Sequence, residues 1–391
     1  TREPGHRAVA FRLISGSQML VVHPIDPRSR ADVRRFVRLP HLLYSGDSNW
    51  VPPPDRDVGV TLNRRDHPFY EHSDAAFFLA VRDGRPAGRI AALEHRPYNR
   101  THGVRQVWFA LFECDGAEDT ATALFARVFG WARGRGLDQA VGPRGFSAFD
   151  GYGLLADGFD RRQLMTMTGY NPASYPRLVE SLGFEREVDF ISYLLRRNTF
   201  VMPEVVRRAA ERATRRLTVF RYPSTRALVA AAPRIGAAYN RAFVDNWEYY
   251  PLSDREIAFL VDGVRLLANP RLMTFITAGD DLVGFALAFP DVSAALQRMA
   301  GRVTPWGLVR LLAERGRTAS VAINGAGIVP EHQGRGGNAL LYLQLEHAIR
   351  QAQFQQAELT QVADTAVKMR HDLERLGAEP IKRHRVYRRG I

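Results

Sequence analysis

The glycine-rich stretch between residues 328 and 341 has the residue types and spacing that could bind an anion. It reads Ile328-Val329-Pro330-Glu331-His332-Gln333-Gly334-Arg335-Gly336-Gly337-Asn338-Ala339-Leu340-Leu341. Three glycines within four positions allow backbone N–H groups to converge where a helix begins. The start of a helix carries unpaired amide donors and a partial positive charge, and both favour a diphosphate. The stretch therefore predicts an anion site.

A strand and a helix are predicted on either side of this turn. Residues 321–323 and 325–329 are apolar enough for a buried strand, and Leu341, Leu345 and Ala348 follow at helical spacing. A strand entering and a helix leaving would hold the glycines in place. A glycine-rich turn without any ligand remains the alternative.

Composition predicts a folded protein of about two domains in 391 residues, with 46% hydrophobic and 24% charged side chains. No apolar run reaches the roughly 18 residues of a membrane span, and residues 1–18 resemble a mobile arm rather than a signal peptide. A single cysteine, Cys114, excludes an internal disulfide. The histidines lack ligand spacing, so we predict no metal site. A cytoplasmic protein is expected.

The net charge of +13 comes from 54 Lys and Arg against 41 Asp and Glu. The positive residues are mostly arginines, and they are scattered along the chain. This pattern argues against specific nucleic-acid binding, which usually concentrates its basic residues. We expect a solvated basic surface that attracts anionic ligands.

The two halves of the chain have the same predicted order of helices and strands. Gly88 and Gly284 close matched hairpins 284 − 88 = 196 positions apart, and Gly183 and Gly377 end matched helices 377 − 183 = 194 positions apart. Two landmarks at nearly one offset indicate duplication, although chance matches remain an alternative. The boundaries predicted from this pattern are an arm at 1–18, a first domain at 19–198, a connector at 199–216 and a second domain at 217–391. The second half adds a mostly helical piece at 293–313.

The turn resembles the signature of the GCN5-related N-acetyltransferase (GNAT) superfamily, Q/R-x-x-G-x-G/A. It reads Gln333-Gly334-Arg335-Gly336-Gly337-Asn338, with Asn338 where the family has Gly or Ala. Longer stretches, including Asn49-Trp50-Val51-Pro52-Pro53 and Tyr239-Asn240, resemble a bacterial group of tandem GNAT proteins. The resemblance implies an α/β (α+β) fold class: two GNAT folds in tandem, each a mixed, mostly antiparallel sheet flanked by helices and splayed beside its fourth strand.

The resemblance also implies acetyl-CoA or another acyl-CoA as the cofactor. The glycine-turn amides would bind the diphosphate, and the backbone before the turn would orient the pantetheine arm. The implied cofactor-binding residues are Ile328, Val329, Gln333, Gly334, Arg335, Gly336, Gly337, Asn338 and Ala339. The equivalent first-half turn, residues 113–119, contains four acids that would repel a diphosphate, so the first domain is expected to be degenerate.

Candidate catalytic and acceptor groups follow from the same resemblance. Glu358, on the strand after the signature helix, is the candidate general base, with an ordinary polar strand residue as the alternative. Leu373 occupies the place of the family's usual tyrosine, so Tyr387 is the candidate acid. The loop where acceptors bind in the family supplies four candidate substrate residues or, alternatively, only a solvated loop: Asp245, Asn246, Trp247 and Glu248.

The function implied is transfer of an acetyl or other acyl group from acyl-CoA to a small-molecule or peptide amine. Two alternatives stay open. One is a tandem GNAT transferase with a fatty-acyl or aminoacyl donor. The other is a non-catalytic acyl-CoA-binding protein.

Overall fold

Thirteen strands form one sheet in the computed structural model, which describes residues 19–147 and 149–391. The predicted arm at 1–18 lies outside the described residues. The strands are β1 Leu20–Pro24, β2 Asp74–Arg82, β3 Arg85–Glu94, β4 Gln106–Cys114, β5 Gln139–Gly142, β6 Leu154–Asp157, β7 Glu185–Arg196, β8 Thr218–Phe220, β9 Met273–Ala278, β10 Asp281–Pro290, β11 Ser320–Ile328, β12 Gln356–Ala363 and β13 Glu379–Gly390.

The helices flank this sheet. They are α1 Arg30–Leu43, α2 Asp55–Leu62, α3 Arg96–His102, α4 Glu118–Arg133, α5 Tyr175–Ser181, α6 Glu204–Ala213, α7 Thr225–Ala230, α8 Ala232–Ala242, α9 Asp254–Val264, α10 Ser293–Met299, α11 Pro305–Arg317, α12 Gly337–Gln351 and α13 Val367–Arg375. The predicted fold class, a mixed and mostly antiparallel sheet flanked by helices, is confirmed. Across the described residues, no helix has both the length and the apolarity that a bilayer crossing requires.

Helix α12 follows the predicted periodicity. Leu341, Leu345 and Ala348 are buried, and they pack against Val321 and Ile323 of β11. The neighbouring residue Ala322 belongs to a different cluster, together with residues of α8 and α10. Because successive strand residues point to opposite faces, α12 covers one face of the second-half sheet, and α8 and α10 cover the other.

The last strand of the chain completes the sheet of the first half. β13 lies between β5 and β7, with Tyr387 opposite Gly142 and Arg385 opposite Asp189. β12 in turn pairs with β7, so the two halves are joined edge to edge. The proposed second domain at 217–391 therefore supplies a strand that lies inside the first half.

The two parallel strands of the second half separate after a short paired region. β11 and β12 pair from Ser320 and Gln356 as far as Ile323 and Leu359, and the remainder of each strand is unpaired with the other. We call the gap beyond Ile323 and Leu359 the notch. β11 continues to Ile328, and a short 3-10 helix at Pro330–His332 connects it to the glycine turn, so the fold places the turn and the start of α12 beside the notch.

Truncation of the chain before residue 379 is expected to unfold the first half as well as the second. The deletion exposes the edges of β5 and β7 and removes Val386 and Tyr387, both fully buried in clusters made mostly of first-half residues. Loss of one large buried side chain alone costs about 3–5 kcal/mol, a large share of a typical stability. Urea unfolding followed by circular dichroism checks this, with Arg383→Ala, at an exposed position on the same strand, as the control. A cooperative transition near the wild-type midpoint in the truncated chain would contradict the strand order.

Candidate functional site

The N-terminal end of α12, which we call its mouth, is formed by the glycine turn and is open. Gly334 and Gly336 have left-handed backbone angles, with φ of 71° and 83°. Gly336 is the N-cap, and no side chain caps the helix. Among the described residues, no carbonyl or side chain accepts a hydrogen bond from the amides of residues 334–339. Gly334, Arg335 and Asn338 are exposed, so the outer side of the turn is accessible to an anion.

Helix α6 forms one wall of this mouth. A Cβ added to Gly336 would lie 2.7 Å from the carbonyl oxygen of Ala209 and 3.3 Å from the Cβ of Ala213. The exposed residues Arg212 and Arg216 are close to Ala213 in the chain, so the segment that contains this wall is basic. The sequence predicted α6 only as part of a basic connector. Its packing against Gly336 makes it part of the candidate site.

The backbone groups of Ile328 and Val329, at the end of β11, already have hydrogen-bond partners that the resemblance did not imply. The N–H of Val329 donates to the carbonyl oxygen of Val283 at 2.9 Å, so it is not available to a pantetheine arm. The side-chain amide of Gln333 donates to the carbonyl oxygen of Ile328 at 3.2 Å. The β11 backbone that faces the notch without a β12 partner is instead residues 324–327. Contact of Gln333 with a phosphate stays a prediction.

In the equivalent turn of the first half, carboxylates of the turn itself occupy the start of the helix. Asp115 accepts a hydrogen bond from the N–H of Ala117 at 3.1 Å, just before α4 begins. Arg82 bridges Asp115 and Asp119, with contacts of 3.3 and 2.5 Å. Negative charge therefore already occupies this helix start, which fits the expectation that the first half does not bind a diphosphate.

Glu248 lies in a buried polar cluster where the second half packs against the first. Its Oε1 accepts a hydrogen bond from Nδ2 of Asn246 at 3.0 Å, whereas its Oε2 is buried with no partner among the described residues. Burial raises the pKa of Glu248. Burial and then the nearby Glu248 carboxylate raise the pKa values of Tyr152 and Tyr239. Buried carboxyl groups with shifted pKa values are common at functional sites, so Glu248 is a candidate site residue.

This cluster borders the notch from both sides. The side chain of Gln361, on β12 beyond the last β11 pair, bonds the backbone N–H and carbonyl of Tyr152, each at 3.0 Å. On the β11 side, a Cβ added to Gly327 would lie 3.3 Å from the ring of Phe243, which packs on Tyr239. Neighbours of Glu248 therefore contact both strands that flank the notch.

Arg144 holds the Glu248 backbone in place. Its guanidinium donates from Nη2 to the carbonyl oxygen of Glu248 at 3.2 Å and lies 3.7 Å from the ring centroid of Trp108 and 4.6 Å from that of Trp247. Its Nε and Nη1 are buried without partners among the described residues. The sequence analysis missed Arg144 because 104 residues separate it from Glu248.

The other predicted acceptor residues divide into two groups. Asn246 bonds Glu248, and Trp247 donates from Nε1 to Oε1 of Glu187 at 3.2 Å, so both belong to the interface between the halves. Asp245 is exposed. The loop therefore brings Asn246, Trp247 and Glu248 together and leaves Asp245 outside the cluster.

Glu358 is paired rather than free. Nζ of Lys382 donates to its Oε1 at 2.8 Å, and the Lys382 side chain is 3% exposed. Burial raises the pKa of Glu358, although the Lys382 charge opposes that shift. Glu358 lies opposite Ala322, inside the paired region and before the notch opens. The sequence predicted Glu358 but not its partner Lys382. The two meet only because β13 lies next to β7, one strand away from β12.

Tyr387 does not lie beside Glu358. It is fully buried in a first-half cluster, and its hydroxyl donates to Glu180 Oε1 at 3.0 Å. Five residues of β13 separate it from Lys382, or roughly 16 Å at the rise of a strand. The prediction that Tyr387 is the acid partner of Glu358 is therefore not supported by the geometry, because β13 carries Tyr387 into the other half.

A cavity of about 70 Å³ lies on the α12 face of the sheet. It is lined mainly by apolar side chains of α12, α13 and the sheet, among them Ile323, Leu345, Ile349, Ala357, Leu359 and Leu373. Ile323 and Leu359 are the last strand pair before the notch, so the cavity begins where the notch ends. In the described part of the chain, no group of three or more His, Cys, Asp or Glu residues could hold a metal ion.

No family model matches the chain. A curated relative, "Bacterial ceramide synthase" of Caulobacter vibrioides, is 26% identical over 374 residues, which cover 94% of this chain and 97% of the relative. "Protein YghO" of Escherichia coli is 24% identical over 377 residues, which cover 93% and 94%.

Solved structures of similar fold include a tandem GNAT protein from the clavulanic acid biosynthesis pathway. Its TM-score is 0.55 at 13% identity, with 95% of this chain and 98% of that one covered. A GCN5-related N-acetyltransferase from Sphaerobacter thermophilus gives a TM-score of 0.51 at 15% identity, with 95% of each chain covered. Together with the open glycine turn and the splayed strands, these likenesses show that the chain has the tandem GNAT fold.

Proposed function

We propose that the protein transfers an acyl group from acyl-CoA to an amine and forms an amide. The observation that carries this proposal is the unplugged mouth of α12 beside the notch. Amides of residues 334–339 bind the diphosphate, which leaves the notch for the pantetheine arm and the thioester. The amine nitrogen then attacks the thioester carbon directly. A C–N bond forms, the C–S bond breaks, and the leaving thiolate needs little acid help because free thiols have a pKa of about 8.5.

Glu248 is the group that we propose receives the amine proton. A general base works best when its pKa lies near the working pH, and burial moves the pKa of Glu248 upward in that direction. Its unpartnered Oε2 is a buried acceptor that an ammonium or amine N–H satisfies on binding. Glu358 fits this role less well, since Lys382 already neutralises it. We assign Arg144 and Asn246 to positioning Glu248.

The donor that we propose is a fatty-acyl rather than an acetyl thioester. The apolar cavity supports this choice, because a methyl group leaves it empty and a long chain can enter it past Ile323 and Leu359. Room for one water-sized group takes about 10–15 Å³, so the cavity accepts on the order of five methylene groups. The name of the Caulobacter vibrioides relative supports the same choice, since a ceramide is an amide of a fatty acid and a long-chain amino alcohol. By that analogy the acceptor is an amino alcohol.

Ala357→Phe tests both the donor and the cavity. Ala357 lies between Val321 and Leu195 in the sheet and lines the cavity, so a phenyl ring there fills it. We expect kcat/KM for hexadecanoyl-CoA to fall by at least about 10–200-fold while short-chain donors are nearly unaffected, because losing the contacts of even one buried methylene costs about 1–3 kcal/mol. The measurement is amide formation by mass spectrometry across a donor series, with a long-chain amino alcohol as acceptor.

Ile349→Ala, which enlarges the same cavity, is the matched control and should favour longer donors. If both variants keep the wild-type preference for donor chain length, the cavity does not bind the acyl chain. Absence of amide and of CoA release with every donor and amine tried would instead contradict acyl transfer itself.

A further inference from the structure

Helix α11 presents large apolar side chains to solvent. Trp306 is 76% exposed, Val309 56% and Leu312 50%. The opposite side of the helix is anchored, with Leu311 and Gly307 buried. Contiguous exposed apolar residues on one helix are uncommon on a protein that has no partner for them, and they mark an interaction surface.

The charges on this face are all positive. Arg310 and Arg317 lie at helical spacing from Trp306 and are exposed, and Arg302 precedes the helix. The one acid of α11, Glu314, pairs with Arg298 at 2.6 Å. We call the exposed side chains of residues 302–317 the α11 face. Its composition, tryptophan and aliphatic residues among arginines, is that of helices that lie in a membrane interface.

A second basic feature lies between α1 and α2. A cleft of about 560 Å³ there is lined by five arginines and one acid, Asp55. Asp55 is already engaged by Nη1 of Arg38 at 3.0 Å and by Nε2 of His41 at 2.9 Å. The arginines of this cleft, the arginine groove, are Arg28, Arg30, Arg34, Arg38 and Arg56. Its uncompensated positive charge suits phosphate headgroups.

The α11 face and the arginine groove adjoin each other. The N–H of Asp55, at the start of α2, donates to the carbonyl oxygen of Gly301 at 2.8 Å. A Cβ on Gly301 would meet Asp55 at 2.4 Å and His41 at 2.7 Å, so the turn before α11 is seated against the groove. The turn that precedes α11, in the second half, therefore contacts the lining of the arginine groove, in the first half.

We propose that this surface binds a bilayer containing anionic lipid, with α11 lying in the plane of the headgroups and the arginine groove taking lipid phosphates. Apolar burial and attraction to anionic headgroups act together in such binding. A second copy of the chain is a poorer occupant, since pairing through one shared patch would set these arginines against each other. This inference does not depend on the acyl-transfer reaction.

Vesicle co-sedimentation tests the proposal on the full chain. The probes are phosphatidylcholine vesicles with and without phosphatidylglycerol, and the protein is expected to partition onto the anionic vesicles in a salt-sensitive way. Trp306→Ser should weaken partitioning at least about tenfold through lost apolar burial. Arg30→Gln with Arg34→Gln should weaken it about fivefold for each charge removed. Val201→Ser, at a position 76% exposed outside this surface, is the control and should bind as wild type.

Each remaining outcome overturns the proposal. One is a lack of binding to anionic vesicles, and another is a Trp306→Ser protein that binds them as well as wild type does. A third is a wild-type dimer in sedimentation velocity that Trp306→Ser dissociates without any vesicle binding, which would identify the α11 face as a contact between copies. Thermal unfolding of each variant checks that these exposed substitutions leave the fold intact.

Discussion

Replacing Glu248 with Gln is expected to lower kcat/KM about 10²–10⁴-fold, the usual contribution of a general base, while acyl-CoA affinity stays at the wild-type value. The substitution keeps the shape of the side chain and its bond to Asn246, and it removes only the ability to take a proton. The acidic limb of the wild-type pH profile should lie above the ordinary carboxyl range, because burial raises the pKa of Glu248. That limb should be absent in the variant.

Stability separates this effect from unfolding. A carboxyl group whose pKa is raised by folding binds its proton more tightly in the native state, so it destabilises the fold as pH rises past its unfolded value. Glu248→Gln removes that penalty, and its Tm at neutral pH should equal or exceed the wild-type Tm. Tyr387→Phe is the matched control: it loses the bond to Glu180 and should keep full turnover. Normal turnover in Glu248→Gln, or a collapse in Tyr387→Phe, would reverse these assignments.

Gly334→Asp is expected to weaken CoA binding about 100-fold. The position has open space around it, and Asp tolerates its left-handed backbone better than most residues do. A new carboxylate at the mouth of α12 repels the diphosphate by several kcal/mol at short range. The same charge is favourable at a helix start in the unliganded protein, so folding should not suffer. Calorimetry with CoA measures the loss.

Gly334→Asn is the control, since it has nearly the same shape without the charge. Binding by the Asn variant should stay within a few-fold of wild type. Gly336 is a poorer position for this test, because any side chain there collides with the carbonyl of Ala209 on α6. Equal affinities for the Asp and Asn variants would mean that the diphosphate lies elsewhere.

Local patterns in the sequence predicted the parts of this structure that local physics determines. Glycine spacing before an apolar helical period gave the turn and α12, and the hairpins closing at Gly88 and Gly284 are both present. The four acids of the first-half turn indicated a helix start that carries its own negative charge. Each of these features depends on residues that are close together in the chain.

Features that depend on distant partners were not predictable in this way. The apolar pattern of β13 identifies a strand but does not say that it inserts between β5 and β7, and that insertion takes Tyr387 away from Glu358. Arg144 approaches Glu248 only because the two halves pack together. The partner of a buried charge is a property of the assembled fold, so one sequence does not identify it.

A crystal structure of the wild-type protein with CoA tests the central claim most directly. We expect the diphosphate oxygens to accept hydrogen bonds from the amides of residues 334–338, the pantetheine arm to lie along residues 324–327 of β11, and the thiol to end in the notch. The turn at residues 113–119 should hold no ligand. Diphosphate density at that first-half turn, or an α12 mouth that stays empty at saturating CoA, would contradict the account.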